Sequence, residues 1–132
     1  MSAVDELLAK ARQQLDRVNA HEAKRIFDDG GLLIDIRPAA QRGEFGEIPG
    51  ALIIERNNLE WRLDPQGSHH IPEAADLRRP VVVICQEGYA SSLAAASLVH
   101  LGRTNATDLD GGFVAWRAAG YPTAKGPSTP LP

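Results

Sequence analysis

One side chain in this 132-residue sequence joins latent nucleophilic chemistry to a suggestive address: Cys85, the only cysteine. It follows the apolar run Val81-Val82-Val83-Ile84 and precedes a short glycine-bearing loop, Gln86-Glu87-Gly88-Tyr89-Ala90-Ser91. An alanine-rich helix is expected next, from Ser92 to Leu101, stopped by Gly102. In an open parallel sheet, ligands bind at the carboxyl ends of the strands, and the chain itself puts Cys85 there. The first amides of a helix lack intrahelical partners and, with the helix dipole, make an anion site. The same field stabilises negative charge on sulfur. A thiolate cradled by the amides of Gln86 to Ser91 is a nucleophile and a holder of a persulfide. The plainer alternative is a small apolar residue buried at a strand end, as free cysteines often are.

Other chemistry-bearing residues are fewer. Arg37 and Arg56 each follow an expected strand, so both are candidates to bind substrate at the rim near Cys85. Arg37 stands beside Asp35 and equally suits an ion pair that ties loops together; Arg56 equally suits a plain surface position. Trp61 suits either the mouth of a site or ordinary packing. His69-His70 are adjacent and lack the i, i+4 spacing of helical metal ligands, and no acid or cysteine pattern completes a set. One cysteine excludes both an intramolecular disulfide and a zinc cluster built on cysteines. Neither a metal nor a cofactor is expected.

These residues need elements to hold them. Val4, Leu7, Leu8, Ala11, Leu15 and Val18 recur at helical steps, which predicts a helix over Val4 to Arg17. Asn19 with Glu22 reads as a capping box opening a second helix, His21 to Asp28, stopped by Gly30-Gly31. Leu32 to Ile36, apolar but for Asp35, is a run typical of a buried parallel strand, ended before Pro38. Ala39 to Pro49 is polar and glycine-bearing. Ala51 to Ile54, Val81 to Ile84 and Asn105 to Leu109 are further strands, and Phe113 to Ala119 is a last helix. Tyr121 to Pro132 holds four prolines and reads as a flexible tail. The division is a helix over 1–17, a single domain over 18–122 and a tail over 123–132. Apolar strands alternating with helices give an α/β class, a parallel sheet with helices on both faces.

Composition limits the partners. The chain carries 14 Lys and Arg against 17 Asp and Glu, a formal net charge of −3. That excludes a dedicated nucleic-acid surface, which would be basic. No apolar run is long enough to span a membrane, and the acidic start, MSAVDELLAK, does not read as a secretory signal. A reduced, cytoplasmic location is expected, and the arginine- and alanine-rich usage suggests a GC-rich bacterial genome.

Four stretches, in order, resemble the rhodanese family of sulfurtransferases. Leu33-Ile34-Asp35-Ile36-Arg37 is similar to its strand and DxR motif. Gly46-Glu47-Ile48-Pro49-Gly50-Ala51 is similar to its GHIPGA motif. Val82-Val83-Ile84-Cys85, with the loop and helix after it, resembles the active-site segment. Leu109-Asp110-Gly111-Gly112-Phe113-Val114-Ala115-Trp116 is similar to its GGxxxW motif. The resemblance implies a small rhodanese-like domain of about five parallel strands, with the helix over 1–17 as an addition. It implies transfer of a sulfane sulfur from thiosulfate, polysulfide or a persulfide, through a persulfide on Cys85, to a nucleophile such as cyanide or a thiol. The partners implied are a small sulfur compound and, as a further possibility, a protein acceptor.

The sequence departs from the family pattern at the loop. Active members usually carry C-R-x-G-x-R, where this chain has Gln86 and Ala90 in place of the arginines and adds Glu87. Glu47 replaces the histidine of GHIPGA. A dianion such as thiosulfate loses charge-assisted contacts worth about 1.5–3 kcal/mol each in such a loop. The competing reading is therefore a weakly catalytic or inactive module that carries sulfur or binds a protein. A phosphatase-like C-x5-R loop is a third reading, but Ser91 stands where its arginine must be.

Overall fold

The computed structural model describes residues 1–132. Four strands form one parallel sheet in the order β2-β1-β3-β4: β1 (Leu32–Asp35), β2 (Leu52–Ile53), β3 (Val81–Ile84) and β4 (Ala106–Asp108). Six helices surround it: α1 (Ala3–Arg12), α2 (Ala20–Asp28), α3 (Ala39–Phe45), α4 (Leu59–Leu63), α5 (Ala90–His100) and α6 (Gly112–Ala118). Every residue of β1 and β3 is buried, as their aliphatic runs require, including Asp35 at the end of β1.

The pleat divides those runs between two cores. Leu32, Ile34, Val81 and Val83 pack with Leu59 and Leu63 of α4 and with Ala94, Ala95 and Leu98 of α5. Leu33, Val82 and Ile84 pack with Ala20 and Ala23 of α2 and with Phe113 and Trp116 of α6. Each large side chain so buried contributes about 1.5–3 kcal/mol. Helices therefore cover both faces, as the alternation predicts. The long connection between β2 and β3 is gathered by Arg103. Its buried guanidinium donates to the carbonyls of Leu63 at 3.1 Å, Ala74 at 2.9 Å and Asp76 at 3.1 Å.

Two local expectations are corrected and one gap is filled. First, α1 ends at Arg12 rather than Arg17. Beyond it the chain opens so that Thr107 can donate to the Asp16 carbonyl at 2.9 Å and Val18 can lie beside β4. Second, the fifth strand is reduced to that one parallel bridge, Val18 with Leu109. The Val18 N–H donates to the Asp108 carbonyl at 3.2 Å and the Asp110 N–H to the Val18 carbonyl at 2.8 Å. Asn19 caps α2 in the expected box with Glu22, which leaves no length for a strand. Third, within the polar stretch after Pro38, to which the sequence assigns no element, Ala39 to Phe45 is helical. Its buried Arg42 donates to the Arg37 carbonyl at 3.2 Å and to Glu47 at 2.7 Å, so a residue that reads as polar surface is an interior anchor.

The C-terminal segment differs from the flexible tail its prolines suggest. It runs back along α3 and β2. Ala124 and Glu47 exchange backbone hydrogen bonds, both 2.8 Å. Ser128 donates its N–H and O–H to the Glu47 carboxylate at 2.9 and 2.6 Å, and the Leu131 N–H donates to the Ile53 carbonyl at 2.8 Å. Burial pushes the Glu47 carboxyl up, but Ser128 and Arg42 together outweigh it and hold the group below the ordinary carboxylate range. No helix is long and apolar enough to cross a membrane.

Candidate functional site

β3 delivers Cys85 to the carboxyl end of the sheet, and the loop 86–89 turns the chain straight into α5. Gly88 makes the turn possible. It has φ +91°, and a Cβ there would lie 2.9 Å from the Gly111 nitrogen. The turn aims two amides at the sulfur: Gly88 N–H at 3.2 Å and Ser91 N–H at 3.3 Å from Cys85 Sγ. Ser91 Oγ lies 3.2 Å from the same sulfur. Cys85 is 7% exposed, so these contacts operate with little competing water.

The loop rests on the first turn of α6. The Phe113 N–H donates to the Cys85 carbonyl at 2.9 Å and the Val114 N–H to the Gln86 carbonyl at 3.2 Å. Two amides that an isolated helix would leave unpaired thus hold the first two loop carbonyls. This explains Gly111-Gly112 in chemical terms: both have positive φ, and Gly112 touches the loop backbone itself.

Three arginines brace the loop from behind. Arg12 donates to the Gly88 carbonyl at 2.8 Å and to Ser92 Oγ at 3.0 Å. Arg17 donates to the same carbonyl at 2.9 Å and grips Asp108 through Nε at 2.9 Å and Nη2 at 3.1 Å. Arg37 is buried, donates to both Asp35 oxygens and to the Gly46 carbonyl, and reaches the loop through Gln86 Oε1 at 2.9 Å. Its guanidinium carbon also lies 4.2 Å from the centre of the Phe113 ring. Burial works against the charge of Arg17, but Asp108, then Asp110 and Cys85, outweigh it and hold the guanidinium above its ordinary value.

Of the residues singled out from sequence, Cys85 and Gln86 to Ser91 form one contiguous site, with Arg37 attached through Gln86. Arg56 is turned elsewhere: it pairs with Glu60 at 2.9 Å, and none of its polar contacts reaches the loop. The exposed side chains here are Glu87 and Tyr89 of the loop and Ala90 at the start of α5. No group of three or more histidines, cysteines or acids is arranged to hold a metal ion, and His69 and His70 are loop residues bonded to Ser68 and Gly67.

Sequence reasoning missed Arg12, Arg17, Ser92 and Asp108. Asp108 is fully buried in β4 and takes four hydrogen bonds: two from Arg17, one from Ser91 Oγ at 2.7 Å and one from Ser92 Oγ at 2.8 Å. The available signal was a carboxylate inside an expected buried strand, where an acid must have partners.

Comparison with known proteins agrees with this geometry. The chain is 31% identical over 109 residues to the thiosulfate sulfurtransferase GlpE of Pseudomonas savastanoi pv. phaseolicola, covering 83% of this chain and 92% of that one. It is 32% identical over 115 residues to the GlpE protein of Pseudomonas fluorescens, covering 86% and 95%. Among solved structures, a protein of unknown function from Rhodopseudomonas palustris, a possible tyrosine phosphatase, superposes with a TM-score of 0.83 at 27% identity, covering 93% of this chain and 95% of that one. The family model described as the rhodanese-like domain matches residues 19–119, taking in the sheet, the Cys85 loop and the α6 turn, and the chain belongs to that family.

Proposed function

We propose that this chain is a sulfurtransferase working through a persulfide on Cys85. The observation that carries the reading is the pair of amides, Gly88 and Ser91 N–H, converging on Cys85 Sγ at the start of α5. The thiolate attacks the outer sulfur of the donor, the donor's S–S bond breaks, and the leaving group departs with the electron pair. With thiosulfate the leaving group is sulfite; with a polysulfide it is the shorter chain. The cradle receives the negative persulfide. A nucleophile such as cyanide or a thiolate then takes the outer sulfur and returns the Cys85 thiolate. Free thiol chemistry of this kind suits a reducing compartment, the cytoplasm.

Donor preference follows from charge. Arg12, Arg17 and Arg37 are spent on loop carbonyls, buried acids and Gln86, while Glu87 stands exposed in the loop. Thiosulfate concentrates two charges on one small ion and meets no free guanidinium there; an organic persulfide carries one charge and a polysulfide spreads its two to opposite ends of the chain, so either is the better donor. The GlpE relatives are named for thiosulfate, which supports its use as a donor as well. Incubation with each donor followed by intact-mass measurement tests this. One added sulfur, acquired faster from polysulfide, is expected. No mass gain from either donor would overturn the reading. Phosphatase chemistry, the possibility attached to the Rhodopseudomonas palustris protein, lacks support here because Ser91 occupies the position its arginine needs.

A gain-of-function variant probes the same point. Ala90→Arg places a cation at the exposed start of α5 and should raise kcat/KM for thiosulfate about tenfold, mostly through KM, with the gain shrinking as salt is added. Gln86→Arg should lower it, because Arg37 loses its acceptor and faces a second guanidinium. Steady-state kinetics at two ionic strengths decides. A Gln86→Arg enzyme that outperforms Ala90→Arg would contradict this account of the loop's charge.

A further inference from the structure

Ser91 has one proton and two claimants. Its Oγ lies 2.7 Å from Asp108 Oδ2 and 3.2 Å from Cys85 Sγ. A carboxylate can only accept, so at 2.7 Å the Ser91 proton belongs to Asp108. Ser91 then presents a lone pair to the sulfur, and the contact with Cys85 is a hydrogen bond only when the thiol S–H donates into it. The sulfur is thus pulled two ways. The Gly88 and Ser91 amides favour the anion, while the committed Ser91 hydroxyl favours the thiol. To help hold a negative sulfur, Ser91 must swing its O–H from Asp108 to Cys85. The loss at Asp108 is tolerable, since Oδ2 keeps Ser92 at 2.8 Å and Arg17 Nη2 at 3.1 Å, and Oδ1 keeps Arg17 Nε at 2.9 Å.

From this arrangement we propose that Asp108, fixed by Arg17, is a positioning residue that withholds the Ser91 proton from the resting Cys85 thiol and releases it when the sulfur becomes negative. The hydroxyl works as a two-position rotor: an acceptor from the thiol at rest, a donor to the thiolate or persulfide during turnover. The inference rests on Cys85 being the reacting sulfur. The charged groups around the rotor are Arg12 on α1, Arg17 in the connection to α2, Arg37 acting through Gln86, Glu87 in the loop, and Asp108 with Asp110 on the β4 side. Of these only Asp108 touches Ser91 Oγ by hydrogen bond, and none touches Cys85 Sγ.

The pH profile of Cys85 alkylation by iodoacetamide tests the rotor without any sulfur donor, so it stays separate from the mass test of sulfur transfer. In Asp108→Asn the amide can donate to Ser91 Oγ, which turns the Ser91 proton onto the sulfur. The profile should move to lower pH, with the rate at pH 6 rising roughly tenfold, the worth of one hydrogen bond to a charged group. The same substitution made together with Ser91→Ala, compared with Ser91→Ala alone, should give little of that gain. A profile unmoved by Asp108→Asn overturns the proposal. So does a full gain that survives without Ser91, which would mean simple removal of a nearby negative charge. Should Asp108→Asn fail to fold, the infrared S–H stretch decides on the wild-type protein. With one cysteine there is one thiol band. It should lie at the lower frequency of a donating thiol and move up in Ser91→Ala; a free-thiol frequency in the wild type overturns the proposal.

Discussion

Cys85→Ser should fold normally and take up no sulfur. Serine preserves the shape of the side chain, and its oxygen can still accept from the Gly88 and Ser91 amides that now point at Sγ. Thermal unfolding should therefore change by only a few degrees. The chemistry should not survive. A serine hydroxyl at neutral pH is almost wholly protonated, and no general base is bonded to it, because Ser91 and Asp108 form a chain already filled with protons and an arginine pair. Sulfurtransferase turnover with polysulfide and cyanide should fall roughly a thousandfold or more, and the mass should stay at that of the unmodified chain. Turnover within tenfold of the wild type in Cys85→Ser would place the reaction somewhere other than this loop.

Gly112→Ala should be the most damaging single methyl in the domain. A Cβ at Gly112 would lie 2.5 Å from the Cys85 carbonyl oxygen and 2.7 Å from both the carbonyl carbon and oxygen of Gln86, all backbone atoms. Its φ of +60° adds the left-handed penalty of about 1–2 kcal/mol. Relief requires the loop to lift off α6, which breaks the Phe113 and Val114 hydrogen bonds and moves Sγ away from its amides. The total is about 3–5 kcal/mol, a fall in Tm of about 10 °C or more for a domain of this size, together with loss of most sulfur uptake. Gly120→Ala is the matched control. Gly120 has φ +81° but nothing within 4 Å of the added atom, so it carries the backbone penalty alone and should leave uptake intact. Equal effects of the two substitutions on uptake would refute the packing argument.

What was legible in the sequence was whatever depends on local pattern. The runs at 32–36 and 81–84 predict β1 and β3 because strands buried on both faces favour aliphatic residues, with Asp35 admitted only because Arg37 pairs with it. Asn19 with Glu22 predicts the start of α2 because the capping box is written in four consecutive residues. The position of Cys85 follows from a strand end and a helix start on either side of it. The sequence was silent where residues meet across the fold. Arg12 and Arg17 lie more than 70 residues from the Gly88 carbonyl they share, and nothing in a helical polar face marks its far partner. Arg42 hid α3 in the same way: a buried cation reads as surface until Glu47 and the Arg37 carbonyl are seen around it. The fifth strand expected from the family resemblance shrank to Val18 because the competing signal, the Asn19 cap, is stronger and begins one residue later.

The two segments lying along the outer strands have a consequence for how the molecule behaves in a crowded solution. A parallel sheet ends in rows of unpaired amides and carbonyls, which invite strand addition by another chain. Here β4 is met by Val18 and β2 by Leu131, each through backbone hydrogen bonds supplied from the same chain. Neither segment is long enough to count as a strand, so neither creates a fresh edge of any length. The sheet is blunted on both sides at the cost of a few ordered residues. Each outer strand is thereby left with fewer free backbone groups for β-augmentation.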